Sequence, residues 1–262
     1  MDIRVSSLGF WGPMGFSMHK LDKDLGLEIF YEWGGSTYWD LILEQNYKEG
    51  RTGGFSIHAP FQGDILEMSL CEDEAALEAY LREPFSLYHK YNADGYVVHM
   101  NGPYPSLPTP RQKAERLKRV TERLDKMNRI CRREGVNMQV ENLAFGTGGY
   151  TLCDQAGFLG IFAENPDLDC IIDTGHAVLA GMDIFEIQRA LKGRLKAYHI
   201  HDNDGVRDGH QRIQTGVIDW QRFFEGSRLY TPDAAFVMEY NPGPGTMEYG
   251  EDAERMRQLF KG

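Results

Sequence analysis

The chain has 262 residues, and its 28 lysine and arginine residues against 39 aspartate and glutamate residues give a formal net charge of −11. With 42% apolar and 26% charged residues, the composition is typical of a globular protein and excludes a disordered or collagen-like chain. The acidic balance disfavours a nucleic-acid partner, because binding a phosphate backbone depends on clusters of lysine and arginine.

Location is predicted from what the sequence lacks. No segment approaches the roughly 20 apolar residues that a membrane-spanning helix needs, so no membrane partner is expected. The first residues do not resemble a secretion signal. The four cysteines form no closely spaced pair, as expected of reduced thiols in a cytoplasmic protein. These cysteines are Cys71, Cys131, Cys153 and Cys170.

Eight short apolar runs predict β-strands, and helical patterns separate them. The runs cover residues 3–8, 27–31, 54–58, 95–100, 137–142, 169–173, 195–201 and 235–240. The helical patterns lie near residues 36–48, 73–92, 110–134, 153–164, 178–192, 219–227 and 249–261, whereas residues 12–25 are only weakly helical. In the clearest helix, over 110–134, apolar residues recur three and four positions apart, with Thr109 as the N-cap and Gly135 as the stop.

Eight alternations of strand and helix over about 250 residues predict a single (β/α)8 TIM-barrel domain spanning residues 1–262. A doubly wound open sheet is the competing fold. It is disfavoured because no strand is followed by the phosphate-binding pattern G-x-G-x-x-G, and the glycines of segment 145–149 have a different spacing.

Histidines and carboxylates stand at the ends of the predicted strands or in the loops that follow them. Because the carboxyl ends of all strands in a parallel barrel open onto one face, we expect these side chains to converge there. The residues at or near strand ends are His58, His99, Glu141, Asp173, His199, His201 and Glu239, and those in the following segments are His176, Asp208 and His210.

A cation is the simplest explanation for such a cluster, since apposed carboxylates repel one another unless their charge is neutralised. Imidazole together with carboxylate suits Zn²⁺, Mn²⁺, Co²⁺ or Fe²⁺, and sets richer in carboxylate suit Mg²⁺ or Mn²⁺. The four residues with the strongest case as ligands are Glu141, Asp173, His199 and Glu239. A lone strand-end histidine such as His58 or His99 is more often a hydrogen-bonded structural residue.

Other conspicuous residues have simpler interpretations. The lysines and arginines of segment 111–133 fit a solvated outer helix face. Asp219 before Trp220 is predicted to cap a helix. Trp33 and Tyr38 follow the second strand and are candidates for an apolar wall or lid over the site. Arg207 and Arg212 are the loop cations that could meet a substrate phosphate.

The motifs Asp173-Thr-Gly-His176, His199-Ile-His201 and Asp208-Gly-His210 resemble those of the xylose isomerase-like barrels. That superfamily includes sugar and sugar-phosphate isomerases and epimerases, and also endonuclease IV. The resemblance extends from the third to the eighth strand, with one departure at residues 213–216, where a Pro-Gly-x-Gly turn is replaced by Ile-Gln-Thr-Gly.

The resemblance implies two different metal sites. In the epimerases one divalent ion is held by residues that fall on Glu141, Asp173, His199 and Glu239. In endonuclease IV three zinc ions are held, and the additional ligands fall on His58, His99, His176, Asp208 and His210. All nine positions carry residues that can bind a metal.

The preferred hypothesis is an isomerase or epimerase of carbohydrate metabolism, acting on a sugar or related polyhydroxy ketone through an enediolate. Glu141 and Glu239 are then the residues that remove and return the proton. His176, His201 and Trp33 are predicted to contact the substrate. The alternatives are a three-zinc phosphoesterase of the endonuclease IV type and a barrel that binds a ligand without turnover. The sequence leaves the metal (Zn, Mn, Mg or Co) and a homo-oligomeric state open.

Overall fold

The structure is a computed structural model that describes residues 1–60, 73–101, 108–144 and 151–262. Three features named above lie outside the described residues: Cys71, the glycines of segment 145–149 and the side chain of Trp33.

Parallel strands close into a barrel within the described part of the chain, each pairing with the next and the last pairing with the first. The strands are β1 (Ile3–Ser6), β2 (Gly26–Phe30), β3 (Phe55–His58), β4 (Gly95–His99), β5 (Met138–Glu141), β6 (Asp169–Asp173), β7 (Leu195–Ile200) and β8 (Ala235–Met238). The pairing of Val5 with Met238 completes the ring. This closure confirms the predicted (β/α)8 barrel and excludes the open sheet.

The helices lie between the strands along the chain. They are α1 (Gly35–Lys48), α2 (Glu74–Arg82), α3 (Phe85–Lys90), α4 (Pro110–Arg133), α5 (Gln155–Glu164), α6 (Thr174–Leu179), α7 (Ile184–Ala190), α8 (Trp220–Tyr230) and α9 (Thr246–Lys261). Between β1 and β2 the chain forms a 3-10 helix over Gly12–Lys20 rather than an α-helix, which accounts for the weak helical pattern there. No helix among the described residues is long and apolar enough to cross a membrane.

Two predicted helices are each divided in the structure. Pro84, which has no backbone N–H, separates α2 from α3. Gly181 takes a left-handed φ of +66° after α6, and Asp183 then caps α7 by accepting a hydrogen bond from the backbone N–H of Glu186. A local breaker therefore accounts for each division.

The caps predicted for two helices are confirmed. The side chain of Thr109 accepts from the backbone N–H of Gln112 at the start of α4, and Gly135 has a φ of +70° just beyond the end of that helix. Asp219 caps α8 by accepting from the backbone N–H of Arg222.

Alternation along each strand sends one set of side chains into the barrel and the other toward the helices. Val97, Ile171, Ala197 and Ala235 form a small apolar cluster of their own, separate from the large core between the strands and the helices. Two residues further along three of these strands come His99, Asp173 and His199. These apolar side chains therefore form a layer inside the barrel directly beneath the polar residues at the strand ends.

Candidate metal centre

The nine residues predicted as metal ligands gather at the carboxyl ends of the strands. Together with His201 they fall into three groups, and within each group all ligand atoms lie within 4.8 Å of one another. The first group is His58, His99 and Glu141, the second is Glu141, Asp173, His199 and Glu239, and the third is His176, His201, Asp208 and His210. Glu141 belongs to two groups, so these two groups adjoin one another.

The first group is built on β3, β4 and β5. Nε2 of His58 lies 3.4 Å from Oε2 of Glu141, and Nε2 of His99 lies 3.3 Å from the same oxygen. The two Nε2 atoms are 3.1 Å apart. All three ligand atoms therefore point at one small volume.

The second group is the most deeply buried. Nδ1 of His199 lies 3.0 Å from Glu141 Oε1 and 3.5 Å from Glu239 Oε2. The same nitrogen is 3.9 Å from Oδ2 of Asp173. Each of these four residues has at most 2% of its surface exposed, so a bound ion would be shielded from bulk water by protein.

The third group depends on a tight turn and a loop. Asp173 caps α6 by accepting from the backbone N–H of His176 at 2.6 Å, which brings His176 back over the end of β6. In the loop after β7, Oδ2 of Asp208 lies 3.2 Å from Nε2 of His176 and 3.3 Å from Nε2 of His210. His210 has a φ of +40°, a conformation that is uncommon for residues other than glycine.

A glycine allows this turn to approach the next strand. A Cβ atom on Gly175 would lie 2.0 Å from Cε1 and 2.5 Å from Nδ1 of His201. His201 is fully buried, and its Nε2 lies 2.9 Å from both carboxylate oxygens of Asp173. A larger residue at position 175 would therefore displace the ring that contacts Asp173.

The hydrogen bonds of the histidines indicate which nitrogen faces each group. Nδ1 lies near a backbone carbonyl in His58 (Ala59, 2.8 Å), His176 (Asn142, 3.2 Å) and His210 (Glu239, 2.9 Å). Because a carbonyl can only accept, Nδ1 carries the proton, and Nε2 of a neutral ring presents its lone pair to the carboxylates. A lone pair facing a carboxylate oxygen is repulsive unless a proton or a metal ion lies between them.

The pKa values of these groups, with no cation between them, show the same need for a proton or a metal ion between imidazole and carboxylate. Burial lowers the pKa of His199, but nearby carboxylates outweigh burial and raise that pKa well above its ordinary value. Burial opposes the charge on His210 too, yet Asp208 raises the pKa of that imidazole to about 9. Burial, reinforced by the charges of Glu141 and Asp173, raises the pKa of Glu239 to about 7.

Two carboxylate oxygens provide a further test of whether the residues fit a metal. Oε2 of Glu141 and Oε1 of Glu239 are buried and make no hydrogen bond to any residue that the structure describes. Unsatisfied carboxylate oxygens are costly inside a protein. Together with the imidazole nitrogens they form a donor set that suits a divalent ion such as Zn²⁺ or Mn²⁺.

Two polar residues that support the site, Glu28 and Asn142, were not among those predicted from sequence. Glu28 on β2 is fully buried, and its Oε1 lies 2.7 Å from Nε2 of His199. Asn142 bonds to both the backbone N–H and the carbonyl of Asp173. A signal for Glu28 was available, since a charged residue in the middle of the apolar strand Gly26–Phe30 must face a polar partner.

The remaining predicted residues are placed as follows. Arg212 forms a bidentate ion pair with Asp252 on α9, so its positive charge is neutralised by another residue of the protein. Arg207 is exposed and lies 3.7 Å from Asp204. Tyr38 packs edge-on against Phe16 and donates to the carbonyl of Gly12. Contact of His176, His201 and Trp33 with a substrate remains a prediction.

Comparison with solved structures finds the same fold over the whole chain. A D-tagatose 3-epimerase-like protein matches 100% of this chain and 98% of its own length, with a TM-score of 0.81 and 20% identity. The 3-keto-D-glucoside 4-epimerase YcjR from E. coli matches 98% and 99%, with a TM-score of 0.73 and 17% identity. The TTHB071 protein of Thermus thermophilus, soaked with ZnCl2, matches 99% and 98%, with a TM-score of 0.69 and 22% identity.

Comparison by sequence gives a family rather than a near relative. No curated protein matches the chain. The family model described as "Xylose isomerase-like TIM barrel" matches residues 42–259, which is more than four fifths of the chain. The closed barrel and the matched family model agree, and the chain therefore belongs to the xylose isomerase-like TIM barrel family.

Proposed function

We propose that this protein is a divalent-metal-dependent epimerase or isomerase acting on a sugar or a related polyhydroxy ketone. The observation that carries the proposal is the arrangement of Glu141 and Glu239. Both carboxylates face Nδ1 of His199, at 3.0 and 3.5 Å, and both keep one buried oxygen without a hydrogen bond among the described residues. Two carboxylates directed at one volume suit a reaction that removes a proton and returns it.

The chemistry follows from the donor groups. One carboxylate takes the proton from the carbon next to the substrate carbonyl, which gives an enediolate, and the other returns a proton to complete the isomerisation. A divalent ion at the second group would supply positive charge where the enediolate develops negative charge. We propose that His176, with 6% of its side chain exposed, holds a substrate oxygen.

The assignment of a sugar rests on the comparisons. One of the matched structures is a D-tagatose 3-epimerase-like protein, and another is a 3-keto-D-glucoside 4-epimerase. Both are matched over nearly their entire length. We therefore take a sugar as the substrate class.

Solvent deuterium exchange tests this proposal directly. The purified protein, loaded in turn with Mn²⁺, Co²⁺ and Zn²⁺, is incubated in D2O with a panel of free and phosphorylated ketoses and 3-keto-glycosides. We expect at least one sugar to gain deuterium next to its carbonyl and to form an epimer or isomer detectable by NMR. The variant Glu239→Gln should lose this exchange. No exchange with any sugar by the metal-loaded protein would contradict the proposal.

A second candidate, a three-metal phosphoesterase, is favoured by one specific observation. The described residues form three neighbouring groups rather than one, and Glu141 is shared by two of them. Neighbouring ions of this kind can activate water and stabilise both oxygens of a phosphoryl transfer. Elemental analysis for zinc, followed by cleavage assays on an abasic duplex and on bis(p-nitrophenyl) phosphate, separates the candidates. Three ions with cleavage favour the phosphoesterase, and one ion without cleavage excludes it.

A further inference from the structure

The partner of His199 differs from those of the other histidines whose Nδ1 contacts are described above. His58, His176 and His210 each direct Nδ1 at a backbone carbonyl and Nε2 at the metal groups. His199 is reversed: its Nδ1 faces the second group, and its Nε2 lies 2.7 Å from the carboxylate of Glu28. A side-chain carboxylate therefore accepts the ring N–H of His199, whereas backbone carbonyls accept the ring N–H of the other three histidines.

Glu28 is held in place for this contact. It lies on β2 with no surface exposed, and Ser56 on the neighbouring strand donates from Oγ to its second oxygen at 2.8 Å. The register of the sheet pairs Glu28 directly with Ser56. Both carboxylate oxygens thus have partners inside the barrel, and the carboxylate cannot swing away from the imidazole without losing a hydrogen bond.

We infer that Glu28 is a positioning residue that accepts the Nε2 proton of His199 and thereby directs the Nδ1 lone pair of His199 at the second metal group. The inference rests on the proposed metal binding. A carboxylate behind a metal-binding imidazole fixes its tautomer and orientation and increases its basicity. Glu28 is not itself a ligand of that ion, because it contacts the ring nitrogen opposite the one that faces Glu141, Asp173 and Glu239.

Among the described residues, Nε2 of His199 has no hydrogen-bond partner other than Glu28. The ring is fully buried, so water cannot replace a lost partner at low cost. Without the acceptor at position 28, the proton would be more stable on Nδ1, where Glu141 lies at 3.0 Å. A proton on Nδ1 blocks the atom that the metal needs.

The test compares Glu28→Gln with wild type by titrating the metal-free proteins with Co²⁺ against a chelator. Glutamine preserves the shape of the side chain, but it is neutral and can turn its amide NH2 toward the imidazole. Loss of such an outer carboxylate typically weakens metal binding about 10–100-fold, and we expect that loss at the second group together with a changed Co²⁺ absorption band. Ser56→Ala removes the hydrogen bond that holds Glu28 but keeps the carboxylate, so it should weaken binding by less than about 10-fold. Glu122→Gln, on the exposed surface of α4, is the matched control and should leave binding unchanged.

A double-mutant cycle asks whether Glu28 acts through His199. In a His199→Gln background, Glu28→Gln should cause no further loss of Co²⁺ affinity, whereas a general effect on folding would persist. A variant with wild-type affinity and an unchanged absorption band would overturn the inference while leaving metal binding intact. If wild-type protein bound no Co²⁺, both the inference and the proposed function would be overturned.

A measurement on unmutated protein keeps the inference testable even if the variants do not fold. Histidine labelled with ¹⁵N reports the tautomer of each ring in the Zn²⁺-loaded protein. For His199 we expect metal on Nδ1 and a proton on Nε2, in contrast to His58 and His210. Metal on Nε2 of His199 would contradict the role assigned to Glu28.

Discussion

Glu141 approaches His199 from a strand two places away in the barrel, with 3.0 Å between Oε1 and Nδ1. The other oxygen of Glu141 faces His58 and His99 instead, at 3.4 and 3.3 Å. One carboxylate therefore joins the first group to the second, and losing it should affect both.

The variant Glu141→Gln tests this shared role. A neutral amide cannot balance the charge of two ions. We therefore expect metal affinity to fall by at least about 100-fold, which is the upper end of the loss seen when a residue that only supports a metal ligand is replaced. Elemental analysis after dialysis should show fewer ions per chain than in wild type. Glu122→Gln, on the exposed surface of α4, is the control and should retain the full metal content. Full metal content in Glu141→Gln would argue against the shared role.

Arg212 and Asp252 anchor the loop that carries Asp208 and His210 of the third group. Nε and Nη2 of Arg212 donate to the two oxygens of the buried Asp252, at 2.8 and 3.0 Å. In Arg212→Gln we expect a loss of stability of about 1–2 kcal/mol, measured by urea denaturation, because a pair of charged hydrogen bonds disappears. The third group should bind metal less tightly, while the second group keeps its affinity.

Arg255→Gln is the matched control for the loop anchor. Arg255 also donates to Asp252, at 2.8 Å, but from within α9, so this contact does not involve the loop. Its loss should lower stability without changing metal binding at the third group. If both variants changed metal binding equally, the anchor would not act through the loop.

Gly175→Ala tests the close approach between α6 and His201. The new methyl group would overlap a fully buried ring that contacts Asp173. Overpacking of this kind typically costs about 1–3 kcal/mol, and metal affinity at the second group should fall as well because Asp173 shifts. Urea denaturation and Co²⁺ titration measure the two effects.

The control for Gly175→Ala lies in another helix. A Cβ atom on Gly160 in α5 would meet nothing within 4 Å. Because alanine favours a helix over glycine, Gly160→Ala should stabilise the protein by about 0.5–1 kcal/mol with no change in metal binding. A similar loss of stability in both variants would show that the contact with His201 is not the cause.

Metal binding should release protons near neutral pH. His210 has its pKa raised to about 9 by Asp208, despite burial, and the carboxylates around His199 raise its pKa as well. Both imidazoles are therefore protonated in the metal-free protein near neutral pH, yet each must be neutral to bind metal. Calorimetry in buffers of different ionisation enthalpy should detect release of on the order of one proton each from His199 and His210 when both bind metal.

The direction of the pH dependence is fixed by the raised pKa values. Proton release should decline as the pH rises through about 9, because His210 is then already neutral before metal is added. Metal affinity should rise over the same interval. A binding enthalpy independent of the buffer near neutral pH would show that these rings are neutral without metal.

Much of the fold could be predicted because its signals are local. Each strand is a short apolar run, and residues such as Thr109 and Asp219 cap their helices through contacts three positions away. The convergence of Glu141, Asp173 and His199 also followed from sequence, because closure of a parallel barrel brings all strand ends to one face.

The features of the site that could not be predicted depend on contacts between residues that are distant in the sequence. Glu28 contacts His199 although the two residues are 171 positions apart in the sequence. Because Glu28 stands in the middle of its strand, looking only for polar residues at strand ends does not find it. The position of His210 depends on the pairing of Asp202 with Gln211 and on the anchor at Asp252, neither of which leaves a pattern in the sequence. The site could be located from sequence, but the orientation of its rings could not.

Anomalous diffraction from crystals of the Zn²⁺-loaded protein would show directly where metal ions bind. We expect an anomalous peak within about 2.0–2.2 Å of Nδ1 of His199 and of oxygens from Glu141, Asp173 and Glu239, the range of zinc–nitrogen and zinc–oxygen bonds. Additional peaks at the first and third groups would favour the three-metal candidate. Crystals from saturating Zn²⁺ with no peak among these four residues would contradict a metal site at the second group.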